Sequence, residues 1–404
     1  MELRRRAQRM IAEFWGDAYS FGLDVLTSLE DKVQALGKNP LIVGNVRYIG
    51  NKLQRYHIVP GTLPNTPISD VARLRNAILT SEPDCVVAVG GGSTIDGVKA
   101  AAAWAVLGGE LEQYFGTGHI TQTLEKTGRE LLPIMAVQTV AGSGAHLTKY
   151  SNVTLTNGQK KLIVDEALVP KVSLFDYSVT ATVPVETSLD GALDAMSHLL
   201  EVFFGAGEGY VHLAKLVDVG LPLILRSAPR LLLERANLEV REELGLASDL
   251  GAMAIMLGGT NGPHLTSFSL VSLASHGRAC AILAPYYTAF FAPAITPQLQ
   301  VVAGILADFG YLSPRAVELE GRELGLAVAG AMLEFLERLG YPTSLGELPG
   351  FTESYIERAL RAAADPQLSM KLKNMPIPFG NDDLEKYMRP LLEAAAAGDL
   401  SLVP

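Results

Sequence analysis

The sequence predicts an α/β domain built on a parallel sheet over residues 1–183, followed by an all-helical domain over 184–404. Three observations carry this division. Short apolar runs alternate with helical stretches throughout the first half. One of those runs enters a glycine turn and then a helix, in VVAVGGGSTIDGVKAA. Beyond Pro184 no clear strand remains, and Leu, Ala and Glu recur at helical spacing, as in HLAKLVDVGLPLILRSAPRLLLERA and GLAVAGAMLEFLERLG.

The expected strands are PLIVGN (40–45), CVVAVG (85–90), LPIMAVQ (132–138), SNVTLT (151–156) and KVSLFD (171–176). Helices are expected over 67–80 and 93–107, the latter rich in Ala. Asn157-Gly158 between two β-rich runs is a hairpin signal, which predicts an antiparallel addition to the sheet.

Composition narrows the function. The chain has 404 residues, 48% hydrophobic and 19% charged, enough for a large core. Its net charge of −10 argues against a nucleic-acid partner, because phosphate binding needs a basic face. Arg4-Arg5-Arg6 reads as a solvated N-terminal turn. Cys85 and Cys280 both sit in apolar runs and read as buried free thiols, which fits a reducing cytoplasm. Glu13 and Asp17 interrupt any apolar leader core. The apolar stretch AAAAWAVLGG falls far short of the ~20 residues that cross a bilayer, so no membrane association is expected.

Two constellations carry chemistry. Gly90, Gly91, Gly92 and Ser93 end a strand and open a helix, where glycines permit close approach and positive φ. A helix N-terminus there suits a pyrophosphate; alternatively Ser93 caps the helix and Asp96 closes a capping box. The second constellation is Asp194 and His198, one helical turn apart in LDGALDAMSHLLE, with His264 and His276 following in NGPHLTSFSLVSLASHGRACAILAP. One carboxylate and three imidazoles suit Fe²⁺ or Zn²⁺ and leave a position open for substrate. Each residue has a plainer role open to it. Asp194 reads as a surface carboxylate, His198 as a half-buried helix residue, His264 as a cap and His276 as a helix end.

These segments resemble the iron-containing (group III) alcohol dehydrogenases, from about residue 40 to about residue 290 of the chain. The family's GGGSxxD loop, TTAGTGSE-like segment, GLDALTH-like helix and HGLANAVLLPHV-like stretch correspond, in that order, to Gly90–Asp96, TVAGSGAH (139–146), ALDAMSH (192–198) and HGRACAILAPYY from His276. The resemblance implies a Rossmann-like dinucleotide-binding domain and a helical metal-binding domain with a cleft between them. It implies hydride exchange between NAD(P)(H) and a metal-bound small alcohol, aldehyde or ketone. It assigns cofactor contacts to Gly90, Gly91, Gly92, Ser93, Asp96, Thr139, Ser143 and Lys160, and Asp194, His198, His264 and His276 as catalytic metal ligands. A homodimer is expected.

Three departures from the family pattern stand out. Asn45 occupies the place of an Asp that bonds the adenosine ribose in many relatives. With Arg47 nearby, this favours NADP(H) over NAD(H), although Asn45 also suits a helix cap. Phe268 replaces a second histidine that relays protons in many relatives, and with Phe203 and Phe204 it suggests an apolar pocket. His146 replaces the glutamate of the TGSE segment. The same scaffold also serves dehydroquinate synthase and the glycerol and glycerol-phosphate dehydrogenases, and a non-catalytic nucleotide- or metal-binding protein is the other alternative. Residues 184–290 hold few cations (Lys215, Arg226, Arg230, Arg235, Arg241 and Arg278), which favours a small substrate of low charge.

Overall fold

The computed structural model describes residues 1–50 and 52–404. It divides into two compact units, Met10–Val183 and Met1–Arg9 with Pro184–Pro404. The first nine residues therefore group with the helical unit, not with the α/β unit as the sequence suggested. Arg4 explains this: its guanidinium meets Glu239 at 2.9 Å, Glu242 at 2.9 Å and Glu243 at 3.7 Å, so it is an anchored cation and not a solvated turn.

Among the described residues the α/β unit contains nine strands: β1 Tyr19–Gly22, β2 Pro40–Gly44, β3 His57–Val59, β4 Cys85–Gly90, β5 Gly116–Thr117, β6 Ile134–Gln138, β7 Tyr150–Thr154, β8 Lys160–Val164 and β9 Val172–Asp176. Six form one sheet in the order β1-β9-β6-β4-β2-β3, with every pairing parallel. Its central strands are apolar and buried along their length: CVVAVG in β4 and IMAVQ in β6 show no exposed position. That is the pattern of a parallel sheet covered on both faces, and it is why these strands read as continuous apolar runs. The edge strands β1 and β3 are short and amphipathic, too weak in pattern to read as strands in the sequence.

The Asn157-Gly158 turn is present, with Gly158 at φ +80° and Leu155 N–H donating to the Gln159 carbonyl at 2.9 Å. The hairpin β7–β8 is antiparallel but does not extend the parallel sheet. It forms a second, three-stranded sheet, β5-β8-β7. The hairpin instead pairs through β8, in parallel, with Gly116–Thr117.

The chain after β2 runs to one side of the sheet, to β3, and the chain after β4 runs to the other, to β6. The β2/β4 boundary is therefore the topological switch point, beyond whose carboxyl ends α/β sheets bind ligands. Asn45 and Gly91 stand at those two ends.

The helical unit is built on long helices, Val185–Gly205, Tyr210–Leu233, Leu238–Leu257, His276–Phe291 and Gly321–Arg338. No strand occurs there among the described residues. Of Val185–Gly205, every residue from Gly191 to Phe204 is buried, which makes it a central helix with no solvent face over that length. No helix among the described residues is long and apolar enough to cross a membrane.

Candidate metal centre and dinucleotide loops

Asp194, His198 and Glu201 lie at i, i+4 and i+7 on the central helix, so all three project from one face. His264 lies in a short helix, Gly262–Ser267, and His276 opens the helix His276–Phe291 rather than ending one. Gly277 permits the last approach: a Cβ there would lie 2.0 Å from the Asp190 carbonyl oxygen and 3.0 Å from Asp194 Cβ. Any larger residue would push His276 away from Asp194.

The four side chains converge on one point. Asp194 Oδ1 lies 3.8 Å from His198 Nε2, 3.6 Å from His264 Nε2 and 3.7 Å from His276 Nε2. These separations are too long for hydrogen bonds. They lie at or just beyond the roughly 3.3–3.6 Å between atoms that share a tetrahedral ion at about 2.0–2.2 Å, so a small inward shift would close them on one. Asp194 Oδ1 and His264 Nε2 are buried without a hydrogen-bond partner, and a buried polar atom left that way is costly unless a cation completes it. The donor set therefore fits a divalent metal. Access is on the His276 side, whose side chain is 24% exposed against 4–8% for the other three.

The electrostatics agree. Burial pushes the Asp194 carboxyl up, but the rings of His198, His276 and His264 outweigh it and hold the group far below the usual carboxylate range. Burial lowers His198 to about 4 against the pull of Asp194, so its ring is neutral at pH 7, the form that ligates a metal. Burial pushes His264 down too. Cys280, Glu201 and Asp194 more than offset it and raise the group well above its usual value.

Glu201 is the functional residue that the motif reading passed over. Its Oε1 lies 2.6 Å from His264 Nδ1, and its Oε2 accepts from the Asn261 backbone N–H at 2.7 Å. One carboxylate thus fixes the short helix and keeps a proton of His264 on Nδ1, so that Nε2 is the nitrogen facing the cluster, where an ion would replace its proton. Ser267 does the same for His276. Its hydroxyl donates to the His264 carbonyl at 2.8 Å, so its lone pair accepts from His276 Nδ1–H at 3.0 Å. The signal for Glu201 was present in LDGALDAMSHLLE, seven residues after Asp194. Glu201→Gln is expected to weaken metal binding about 10–100-fold with the helical fold intact, measured by competition with a chromogenic chelator.

Cys280 is a neighbour of this cluster. Ligand atoms of Asp194, His264, His276 and Cys280 all lie within 4.8 Å of one another. The thiol, however, stands 3.9 Å from His276 Nδ1, the nitrogen turned toward Ser267. The set facing Asp194 Oδ1 is the three Nε2 atoms. Both cysteines are buried and free.

In the α/β unit the helix Gly92–Leu107 starts directly after β4, with Gly91 at the N-cap position. Positive φ is not what the three glycines supply, since none of them has it; Gly142 and Gly144 do, at +139° and +61°. Packing distinguishes the three instead. A Cβ on Gly90 would lie 2.8 Å from Thr94 Cβ, and one on Gly92 would lie 2.6 Å from Ser143 Oγ. A Cβ on Gly91 would meet only Val140, at an ordinary 3.6 Å. The protein's own packing therefore does not require glycine at 91.

The remaining expected cofactor residues divide. Ser93 is not the cap: its Oγ accepts from Asn65 N–H at 3.1 Å, inside the first turn. Asp96 is buried and closes no capping box. Its carboxylate accepts from the Asn152 backbone and amide N–H groups at 2.9 and 3.1 Å, which ties the helix to β7. Both bonds go to one oxygen, Oδ2, and fix the orientation of the carboxylate. Thr139 is buried and donates its N–H to the Gly90 carbonyl at 3.0 Å, which brings the two loops together. Ser143 Oγ accepts from Ala145 N–H at 3.3 Å. Lys160 is buried at the start of β8 and is not an exposed hairpin charge. Asn45 caps a 3₁₀ turn, its Oδ1 accepting from Arg47 N–H at 3.2 Å. Lys99 was not anticipated. It is fully buried, and its ammonium donates to the carbonyls of Ala145, Thr148 and Tyr150 at 2.6, 2.5 and 3.0 Å, pinning the segment after Ser143.

Two aromatic expectations change. Phe268 stands beside the centre, its ring 6.0 Å from that of His276. Phe203 and Phe204 are buried against each other, Phe203 also meets Tyr210 in the core, and Phe204 lines a small cavity with Leu200, Glu201 and Tyr287. His146 is fully buried, with Nε2 3.0 Å from the Tyr19 hydroxyl.

Comparison with known proteins decides the family. The iron-containing alcohol dehydrogenase model matches residues 17–177, and the C-terminal model of the same family matches residues 188–390. The chain belongs to the iron-containing alcohol dehydrogenase family. It is similar to long-chain-alcohol dehydrogenase 1 of Geobacillus thermodenitrificans (strain NG80-2), 26% identical over 94% of this chain and 95% of that protein. The NAD-dependent methanol dehydrogenase of Bacillus methanolicus is 24% identical over 68% of this chain and 70% of its own length. Among solved structures, NADH-dependent butanol dehydrogenase A of Thermotoga maritima superposes with a TM-score of 0.77 at 24% identity, covering 93% of this chain and 96% of that one. A 1,3-propanediol oxidoreductase gives a TM-score of 0.79 at 23% identity, covering 94% and 98%. The chain is thus an oxidoreductase of the alcohol dehydrogenase type.

Proposed function

We propose that Asp194, His198, His264 and His276 hold one divalent ion, Fe²⁺ or Zn²⁺, and that the loops at 90–93 and 139–143, with Lys160, hold the dinucleotide. The convergence of three Nε2 atoms on one orphaned carboxylate oxygen carries this reading. When bound, the ion supplies Lewis acidity to a small alcohol or carbonyl oxygen, and the nicotinamide supplies or accepts hydride. The chain's own residues set the conditions. Asp194 and the three imidazoles fix the ion's position, Glu201 and Ser267 orient two of those rings, and Phe268 gives the accessible His276 side an apolar wall.

The cofactor proposed is NADP(H), with NAD(H) the alternative. Asn45, at the carboxyl end of β2, puts an amide where a carboxylate would repel a 2′-phosphate, and the exposed Arg47 guanidinium rests on its neighbour Tyr48 at 2.6 Å, from where it can turn to pair with phosphate. Asn45→Asp preserves the cap, because Asp also accepts from Arg47 N–H. It should lower the NADP/NAD ratio of kcat/KM by at least about tenfold, a like-charge cost on the order of 1–3 kcal/mol. The assay is aldehyde reduction by NADPH and by NADH on protein reloaded with Fe²⁺ or Zn²⁺. No turnover with any metal, cofactor and aldehyde combination would refute the functional reading. An unchanged ratio would refute only the role of Asn45. A second copy of the chain and a cytoplasmic location complete the proposal, on the reducing chemistry that two buried free thiols suit.

A further inference from the structure

Cys280 is a buried thiol at the metal centre to which nothing above gives a role. It lies one turn after His276 on the helix His276–Phe291, so the two side chains share a face. It is fully buried, and its sulfur stands 3.9 Å from His276 Nδ1. The HGLANAVLLPHV-like stretch of the family carries Asn at this place, where this chain carries the thiol.

The centre contains two overlapping donor sets. Asp194, His198, His264 and His276 form the first. Asp194, His264, His276 and Cys280 form the second, one ligand atom from each lying within 4.8 Å of the others. For four atoms no farther apart than that, one point lies within about 3 Å of all of them, against bonds of about 2.0–2.2 Å from Zn²⁺ to nitrogen and oxygen and about 2.3 Å to thiolate. Side-chain shifts of about 1 Å would bring all four onto one ion. Asp194 and His264, which both sets share, are 6% and 3% exposed, and each turns a buried atom without a hydrogen-bond partner to the cluster, Oδ1 and Nε2.

The two sets differ in softness. The fourth member of the first is an imidazole, which suits iron and zinc alike; the fourth member of the second is a sulfur, which favours the more thiophilic ion. We infer that Cys280 is a further metal-ligating residue, which completes with Asp194, His264 and His276 a site for thiophilic divalent ions such as Zn²⁺ and Cd²⁺, its sulfur taking the place of His198. As the ion binds, the thiol proton passes to solvent and a sulfur lone pair forms the bond. The identity of the ion thus decides which fourth residue holds it, His198 for Fe²⁺ and Cys280 for Zn²⁺.

The inference rests on the metal-site reading above, and cobalt separates the two. Full-length protein, stripped by chelation and kept reduced, is titrated with Co²⁺. Visible absorption of the ion, with metal analysis, reports binding; a near-ultraviolet sulfur-to-cobalt charge-transfer band reports the thiolate. Wild type should show both, Cys280→Ser the visible absorption alone, and His198→Ala should keep the charge-transfer band. Chelator competition should find Zn²⁺ affinity lowered at least about tenfold in Cys280→Ser, the smallest cost of losing even a group that only orients a ligand, with Fe²⁺ affinity within about threefold of wild type. Zinc-edge X-ray absorption on the wild type should show a sulfur neighbour at about 2.3 Å, and that result decides alone if the variants do not fold. Bound cobalt without a charge-transfer band in the wild type would overturn the inference and leave the metal-site reading intact. So would a band that survives Cys280→Ser, or one lost in folded His198→Ala. No uptake of Co²⁺, Zn²⁺ or Fe²⁺ by the wild type would overturn both.

Discussion

His264→Ala and His276→Ala should each produce a folded protein that has lost tight metal binding and aldehyde reduction together. Replacing a group that only orients a ligand already costs about 10–100-fold in metal affinity, so removing a ligand should cost more than about a hundredfold. His264→Ala should be the more severe, because it also strands the Glu201 carboxylate that its Nδ1 meets at 2.6 Å. An uncompensated buried carboxylate is among the few single changes that destabilise strongly, by about 3–5 kcal/mol. His276 is partly exposed, and its Nδ1 meets the Ser267 hydroxyl and the Cys280 thiol rather than a carboxylate, so His276→Ala should change activity far more than melting temperature. Metal analysis after chelation and reloading, with a thermal melt on the same samples, checks both statements. Wild-type turnover in either variant at unchanged metal content would remove the assigned ligand set.

Gly91→Val should abolish dinucleotide binding with little loss of stability. The neighbouring glycines would behave differently. A Cβ on Gly90 or Gly92 overlaps Thr94 or Ser143, so substitution there strains the protein whether or not a ligand binds. At Gly91 the nearest protein atom would be 3.6 Å from the Cβ, and φ is an ordinary −83°. The new side chain would stand at the N-terminus of the Gly92–Leu107 helix, where backbone N–H groups would cradle a pyrophosphate. Titration of NADPH and NADH fluorescence should show at least about a hundredfold weaker binding, beside a melting temperature within a few degrees of wild type. Unchanged affinity would mean that the loop is a structural turn and that the dinucleotide lies elsewhere.

Much of this was legible in the sequence because the signals are local. The apolar run CVVAVG, the Ala-rich helix after it and the Asn157-Gly158 turn each follow from the preferences of a few adjacent residues. Asp194 and His198 share a face by helical periodicity alone. Glu201 shares that face as well, and the same periodicity would have found it; an acidic residue on a helix simply carries no motif. The edge strands Tyr19–Gly22 and His57–Val59 were not legible, because short strands of mixed polarity owe their state to the neighbour they pair with. The hairpin's sheet was not legible for the same reason. Its turn is encoded locally, but its partner Gly116–Thr117 lies more than forty residues before β8 in the chain and is set by tertiary packing.

By itself, then, the sequence determined the two-part architecture, the glycine turn between β4 and its helix, and the identity of four residues able to hold a metal. Periodicity and turn chemistry act over a few residues, so they can be read in one dimension. Only the tertiary structure decided what those residues do to one another. It turned Asp96 away to Asn152, put Gly91 apart from Gly90 and Gly92, and set Glu201 behind His264. It also brought Lys371, more than ninety positions beyond His276, to the ring that flanks it. Each of these depends on helices meeting at separations of a few ångströms, as where Gly277 lies against Asp190, and such distances are fixed by packing between segments remote in the chain.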